Sequence, residues 1–376
     1  MGRSTAPDLA RGGLLLFIAL ANVAVYAYGG ETGLGGRLQG GDRLDRAVDL
    51  LTVLLVDQRS YPAFALLVGY GAWHIVRRQQ QAGASRGEAR AVLRRRQLWL
   101  VAFGGVHAAL LFEGDVLGVY GLTGLLLPYL MFRRRRVLVR WAVATAAFCA
   151  LLLGGGSGLL AVGDVLGPTP GYLASVPERL GFWAVSLAVT PVAPVMLPLM
   201  LVGVLAARRG LLDRPAEHLP LLRRLAVGGV GAGVLGGLPA ALAVAGVVDV
   251  EPGAAYAAME TVHDATGVLA GIGYVAALAH WSTRREGVAP ARVRRALTAT
   301  GSRSLTCYLL QSVLFAPLLA AWGLGLGDGL HGARAAAVAV LVWAATVGIA
   351  YALDRAGRPG PAEAALRRLV YGRRAG

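Results

Sequence analysis

The chain alternates long apolar runs with short connections that are either arginine-rich or acidic. A helix crosses a bilayer with roughly 17 to 25 apolar residues, and runs of about that size can be read at 12–28, 60–76, 98–112, 116–132, 137–160, 182–206, 225–248, 262–281, 305–323 and 335–353. This pattern predicts an all-α fold: a polytopic integral membrane bundle of about ten transmembrane helices, with residues 1–376 forming one domain. The 47–56 stretch reads as an interfacial helix, which leaves the count open by one. Connections are short, the longest being 31–46 and 77–96, and neither has room for a soluble domain.

Composition supports the same class. The chain is 56% hydrophobic and 15% charged, against about 25% charged residues in an ordinary soluble domain. Its net charge of +16 comes from 37 basic residues, every one an arginine. With the amino terminus in the cytoplasm, 31 of those 37 arginines fall inside, whereas 14 of the 21 acidic residues fall outside. That is the positive-inside bias of a multi-pass protein of the cell membrane, and it predicts that both termini are cytoplasmic. The arginine runs, such as 133–136, therefore read as stop-transfer anchors with an affinity for anionic lipid headgroups. Nucleic acid is excluded as a partner, and a homo-oligomer stays open. The tail, 355–376, is short and basic, and reads as an interfacial helix after Pro359 and Pro361. The first apolar run lacks a small-x-small cleavage site and is read as a retained helix.

Candidate chemistry concentrates in residues 104–124, where an imidazole and a carboxylate lie in or beside hydrocarbon, a costly placement usually kept for chemistry or transport. On a regular helix, His107 and Asp115 would lie about 12 Å apart along the axis and about 80° around it. They are therefore expected to line one cavity without forming a preformed pair, with His107 as base or acyl acceptor and Asp115 orienting a partner group. The alternative is a buried histidine satisfied by the protein itself. Three further polar stripes sit on apolar runs: Asp8, Arg11 and Asn22; Glu260, His263 and Asp264, continued by Gly267, Gly271 and Tyr274; and Ser304, Tyr308 and Gln311. Inward stripes on separate helices suggest a common wet chamber, and plain interhelical hydrogen bonding is the competing reading. An E-x-x-H pair such as Glu260/His263 can be half of a di-iron site, but no second copy exists in the chain, so no metal is assigned.

Two other patterns bear on packing. Pro191, Pro194 and Pro198 should break the 182–206 span, since each removes a backbone donor. The run from Gly231 through Gly233 to Gly236 spells a dinucleotide fingerprint but lies mid-span, without a preceding strand. Gly229, Gly233 and Gly237 are instead a small-residue ridge for close helix packing. Cys149 and Cys307 fall within apolar runs and imply no disulfide framework.

Taken in order, the motifs resemble those of the YeiB-like membrane proteins, the family of domain of unknown function 418. The quoted segments are Asp8-Leu-Ala-Arg-Gly12 followed by Asn22; Phe64-Ala-Leu-Leu-Val-Gly-Tyr-Gly71; His107 through Asp115 and Tyr120 to Gly124; Leu201 to Leu212; Thr300 to Ser312; and Gly360 to Leu369. Cys307 departs from the family's usual Asn, Ala65 and Val68 soften the second motif, and the tail lacks the usual Trp. The resemblance implies a relation to transmembrane acyltransferases, which move an acyl group from a cytoplasmic thioester to an acceptor on the far side. By that analogy His107 is the catalytic base or acyl carrier, with Asp115 and Asn22 orienting it or the acceptor. Arg11 meets the donor's phosphates, and Tyr120, Tyr308 and Gln311 contact substrate. Acyl-CoA is then the donor substrate, and no bound cofactor is expected. The alternative is a transporter or exporter of a small molecule or lipid, in which the same chamber serves alternating access.

Overall fold

In a computed structural model, residues 4–154, 169, 171–189, 196–284 and 291–372 are described; Pro191 and Pro194, and the side chain of Cys149, lie outside them. The described residues form an all-helical bundle with only two isolated backbone bridges, at Tyr28/Asp328 and Thr32/Leu38. In chain order the helices are α1 (Ala6–Val23), α2 (Arg43–Leu55), α3 (Ser60–Gln81), α4 (Arg86–Leu110), α5 (Leu117–Gly124), α6 (Leu127–Leu130), α7 (Arg135–Gly154) and α8 (Tyr172–Val189). They continue as α9 (Met196–Arg208), α10 (Leu219–Val244), α11 (Ala254–Ser282), α12 (Ala291–Ser302), α13 (Ser304–Leu319), α14 (Gly332–Arg355) and α15 (Pro361–Tyr371).

Among the described residues, five segments are long and apolar enough to cross a membrane: Ala6–Tyr26, Arg43–Gln81, Pro215–Val244, Ala254–Ser282 and Gly332–Arg355. Shorter apolar helices, Leu117–Leu130, Met196–Arg208 and Ser304–Leu319, lie beside them. The second long segment joins α2 and α3 across a break at residues 56–59. With Arg43, Asp45, Arg46 and Asp49 among its thirteen residues, α2 is amphipathic, as the interfacial reading of 47–56 expects. Gln58, with φ at 61°, marks that break, and α2 packs against α10 and α14.

Local signals in the sequence set the helix ends. Asp42 and Asp45 form a reciprocal capping box at the start of α2, as do Ser85 and Glu88 at the start of α4. Such caps satisfy backbone donors that have no partner within the helix. Hydrogen bonds between connections then sort the bundle into two ends. At the arginine-rich end, Ser4 donates to the carbonyl of Leu212, Arg208 to those of Met131 and Arg133, Arg95 to that of Val370, and Arg303 to that of Arg358. At the opposite end, Tyr28 bonds Gly325, Ala333 donates to Asp45, and Tyr26 donates to the carbonyl of Leu111. Arg37, in the connection before α2, holds both Asp49 and Asp57, at 3.1 and 2.6 Å. Burial alone would lower the Arg37 guanidinium, but the charges of Asp57 and Asp49 more than offset it and hold it above its ordinary value.

Glycine allows the closest helix approaches. The ridge on α10 packs directly on α11: a Cβ at Gly229 would lie 2.4 Å from the carbonyl oxygen of Leu269, and one at Gly233 2.5 Å from the Cβ of Ala270. Helix packing is therefore what that glycine run does, as its mid-span position predicts. The carboxy-terminal helix α15 is more than an interfacial tail. Its Leu366 and Val370 are buried together with Leu100 of α4, and Glu363 accepts from the backbone amides of Leu305 and Thr306 and from the Thr306 hydroxyl.

Candidate functional site

His107 lies in the last turn of α4, and the helix stops three residues later, at Leu110. Leu111 leaves the helical region, and residues 111–116 fold the chain back so that α5 runs down the side of α4. That reversal changes the geometry expected from a continuous helix. Nδ1 of His107 lies 2.8 Å from Oδ1 of Asp115, and both side chains are buried. The pair is thus preformed, because the eight-residue separation crosses a turn rather than two turns of helix.

Asp115 is held by three more groups. The amide of Gly118 donates to Oδ2 at 2.8 Å, Nε1 of Trp183 on α8 approaches the same oxygen at 3.4 Å, and the Tyr308 hydroxyl of α13 lies 3.5 Å from Oδ1. Tyr308 also accepts from the amide of Val116, at 3.3 Å. A carboxylate only accepts, so the proton shared with His107 sits on Nδ1 and leaves Nε2 with its lone pair. Nε2 is buried and has no hydrogen-bond partner among the described residues. Around the imidazole stand Tyr308, edge-on with ring centroids 5.2 Å apart, and Phe112 at 6.0 Å. The imidazole thus presents one basic nitrogen, held by Asp115 in a fixed orientation between two aromatic rings.

Close packing of α4, α5 and α8 makes this arrangement, and glycines permit it. Gly104 faces Asp115, a Cβ at Gly118 would lie 2.7 Å from Nε1 of Trp183, and one at Gly121 would lie 2.7 Å from the carbonyl oxygen of Gln97. Arg179, one turn before Trp183 on α8, donates to the carbonyls of Ala108 and Ala109 and so caps the end of the helix that carries His107. Tyr172 donates to the neighbouring carbonyl of Leu110. Trp183 and Arg179 are absent from the sequence reading. Their one-turn spacing on a polar-edged apolar run is the only signal that could have pointed to them. Glu113, in the turn beside the pair, is pushed up chiefly by burial.

The remaining sequence candidates fall into separate places. Tyr120 is buried on α5 and donates to the carbonyl of Tyr61 at 2.8 Å, linking the site to α3. Gln311, one turn from Tyr308, donates to the carbonyl of Leu15 on α1 at 3.0 Å. Arg11 pairs with Asp8 at 3.1 Å and donates to the carbonyl of Leu67, toward the arginine-rich end. Asn22 is half-buried on α1, and its side chain makes no hydrogen bond among the described residues. His263 joins a second polar cluster at the α2–α3 break. There Arg59, fully buried, donates to the ring of His263 with Nε2 at 3.1 Å, to the carbonyl of Gly233 at 2.9 Å, and to that of Asp57. Gly237, Gly267 and Gly271 close over this cluster. Asp264 and Glu260 lie on the same stretch of α11. Among the described residues, no group of three or more His, Cys, Asp or Glu side chains is placed to hold a metal ion.

Residues 206–373 match the family described as Protein of unknown function (DUF418). The matched region holds α10 to α15, and with them Tyr308, the α10–α11 glycine contact and the docked carboxy-terminal helix. The family so matched is the one that the ordered motifs of the chain resemble. Together with the apolar helices, this match points to a membrane protein. A comparison with curated proteins returned no match.

Proposed function

We propose that this protein is a multi-pass enzyme of the cell membrane that transfers an acyl group from a cytoplasmic thioester, such as acyl-CoA, to an acceptor at the opposite face. The observation that carries the reading is the buried His107–Asp115 pair with Nε2 left unpartnered. Asp115 fixes the tautomer and the ring orientation, so Nε2 is available as a base. In a direct transfer, Nε2 takes the proton of an acceptor hydroxyl or amine while the acceptor attacks the thioester carbonyl. The C–S bond breaks, and the departing thiolate recovers the proton from Nε2. In a two-step transfer, Nε2 attacks the carbonyl and the C–S bond breaks with release of the thiolate; the acceptor then attacks the acyl-imidazole, the N–C bond breaks, and the acceptor's proton passes to the freed Nε2 and on to the thiolate. Arg11, near the arginine-rich end, supplies positive charge on the side where a donor's phosphates would enter. That end is assigned to the cytoplasm on the positive-inside bias, with ten passes and both termini inside. A reporter fused after residue 376 should then be active only as a cytoplasmic fusion.

The test of the chemistry is turnover of a labelled acyl thioester by purified protein in lipid nanodiscs, offered a panel of hydroxyl and amine acceptors. Wild type should consume the thioester, and His107→Ala should not, while retaining wild-type yield and monodispersity. Wild-type rates from the Ala variant would remove His107 from the mechanism.

A second reading, transport of a small molecule or lipid, draws on the α2–α3 break. Discontinuous helices with buried polar groups at membrane depth are a recurring feature of transporter sites, and Arg59 and His263 meet at such a break. Solute movement in proteoliposomes without any thioester turnover would favour it.

A further inference from the structure

At the arginine-rich end, the first turns of α10 and the last turns of α11 enclose an open groove of about 710 Å³. Its walls are graded. Leu219 and Pro220 supply apolar surface at the helix start and Val227 beyond the arginines, and Gly228 leaves the α10 backbone bare, since a Cβ there would meet nothing within 4 Å. Arg223 and Arg224 each stand one turn nearer the helix start than Val227 and Gly228, so two exposed guanidinium groups stand at the mouth of the apolar strip that Val227 and Gly228 form. Neither arginine has a carboxylate partner among the described residues; the nearby acids are engaged elsewhere, Glu217 with Arg214 and Asp213 with His74. On the α11 side the groove is lined by His280, whose Nδ1 is buried without a hydrogen-bond partner among the described residues.

We propose that this groove binds one anionic phospholipid, with the phosphate at Arg223, Arg224 and His280 and an acyl chain lying along Val227 and over Gly228. Three features converge on that occupant. Positive charge without internal neutralisation calls for an anion. The orphan imidazole nitrogen calls for a polar partner. The apolar trough continuing from the charged mouth toward the middle of the helix calls for an amphiphile rather than a free anion. Basic pockets between transmembrane helices on the cytoplasmic side are a known setting for such headgroups. The site uses none of the residues around His107, so it stands or falls independently of the acyl-transfer reading.

Native mass spectrometry of the full chain in detergent, titrated in turn with phosphatidylglycerol, phosphatidylcholine and inorganic phosphate, tests it. Wild type should retain one phosphatidylglycerol at concentrations where phosphatidylcholine is not retained. Removing both arginines in an R223Q/R224Q variant should weaken that binding about 30-fold, at roughly one tenfold-scale contribution or less per charge. Gly228→Trp should block the trough while both arginines remain. An R367Q/R368Q control on exposed positions of α15 should bind as wild type. Equal retention of the zwitterionic lipid, undiminished binding by R223Q/R224Q, or an equal loss in the α15 control would each overturn the proposal. Binding of inorganic phosphate as tight as that of the lipid would overturn it too, by making the site a phosphate site. If the Trp variant proves unstable, the double glutamine variant decides alone, because its two side chains are solvent-exposed.

Discussion

A Cβ at residue 104 would lie 2.3 Å from Oδ2 of Asp115, so Gly104 and Asp115 meet in a contact that only a glycine permits. The last turns of α4 and the start of α5 approach through that contact, which is what brings the carboxylate to the imidazole of His107.

Gly104→Ala should therefore displace Asp115 rather than merely crowd it. Overpacking of this kind costs about 1–3 kcal/mol. The expected outcome is a lower melting temperature together with a larger fractional loss of thioester turnover than of folded protein. Turnover falling only in proportion to folded protein would mean that the pair tolerates the shift.

Asp115→Asn keeps the volume but offers an amide in place of the carboxylate. Its nitrogen can donate to Nδ1 and push the proton to Nε2, the wrong nitrogen for a base. Turnover should drop by about 10²- to 10⁴-fold, the usual range for a positioned general base. Nitrogen NMR of labelled histidine should report the exchanged tautomer in the folded variant, a signature that a purely structural role for Asp115 would not produce.

Glu113 titrates above its ordinary range because of burial, so folding takes up a proton there. The sign follows: its protonated form is the one the fold favours, and that favour is lost as pH rises above the unfolded value toward the raised folded value. Glu113→Gln should melt higher than wild type at pH 8, and the two should converge as pH falls to about 4. Melting curves across pH, with a constant difference at all values, would exclude the carboxyl as the cause.

Glu363 satisfies the first amides of α13 from a helix 57 positions further along the chain. Loss of such a cap costs about 0.5–2 kcal/mol. In Glu363→Ala, hydrogen exchange should rise in α15 and the first turn of α13, and trypsin should cut earlier at Arg367 and Arg368. Unchanged protection would show that burial of Leu366 and Val370 holds the helix by itself.

Apolar run length and the distribution of arginine made the all-helical membrane bundle legible in the chain, because hydrocarbon imposes those constraints locally and at one-residue resolution. The glycine ridge at Gly229, Gly233 and Gly237 was legible for the same reason: small residues at a four-residue spacing lie on one face whatever they pack against. The ordered motifs led to the family that residues 206–373 match, and His107 and Asp115 stood out as polar groups in apolar surroundings. Tertiary structure alone decided how those groups pair. The apolar runs already part between 112 and 116, but only packing fixes how the turn between them folds, and that turn converts an expected separation of two helical turns into a 2.8 Å contact. Arg59, Trp183 and Arg179 were invisible for a related reason. Each acts on a partner 68 to 204 positions away, and a side chain's distant partner is fixed by packing, not by its neighbours in the chain.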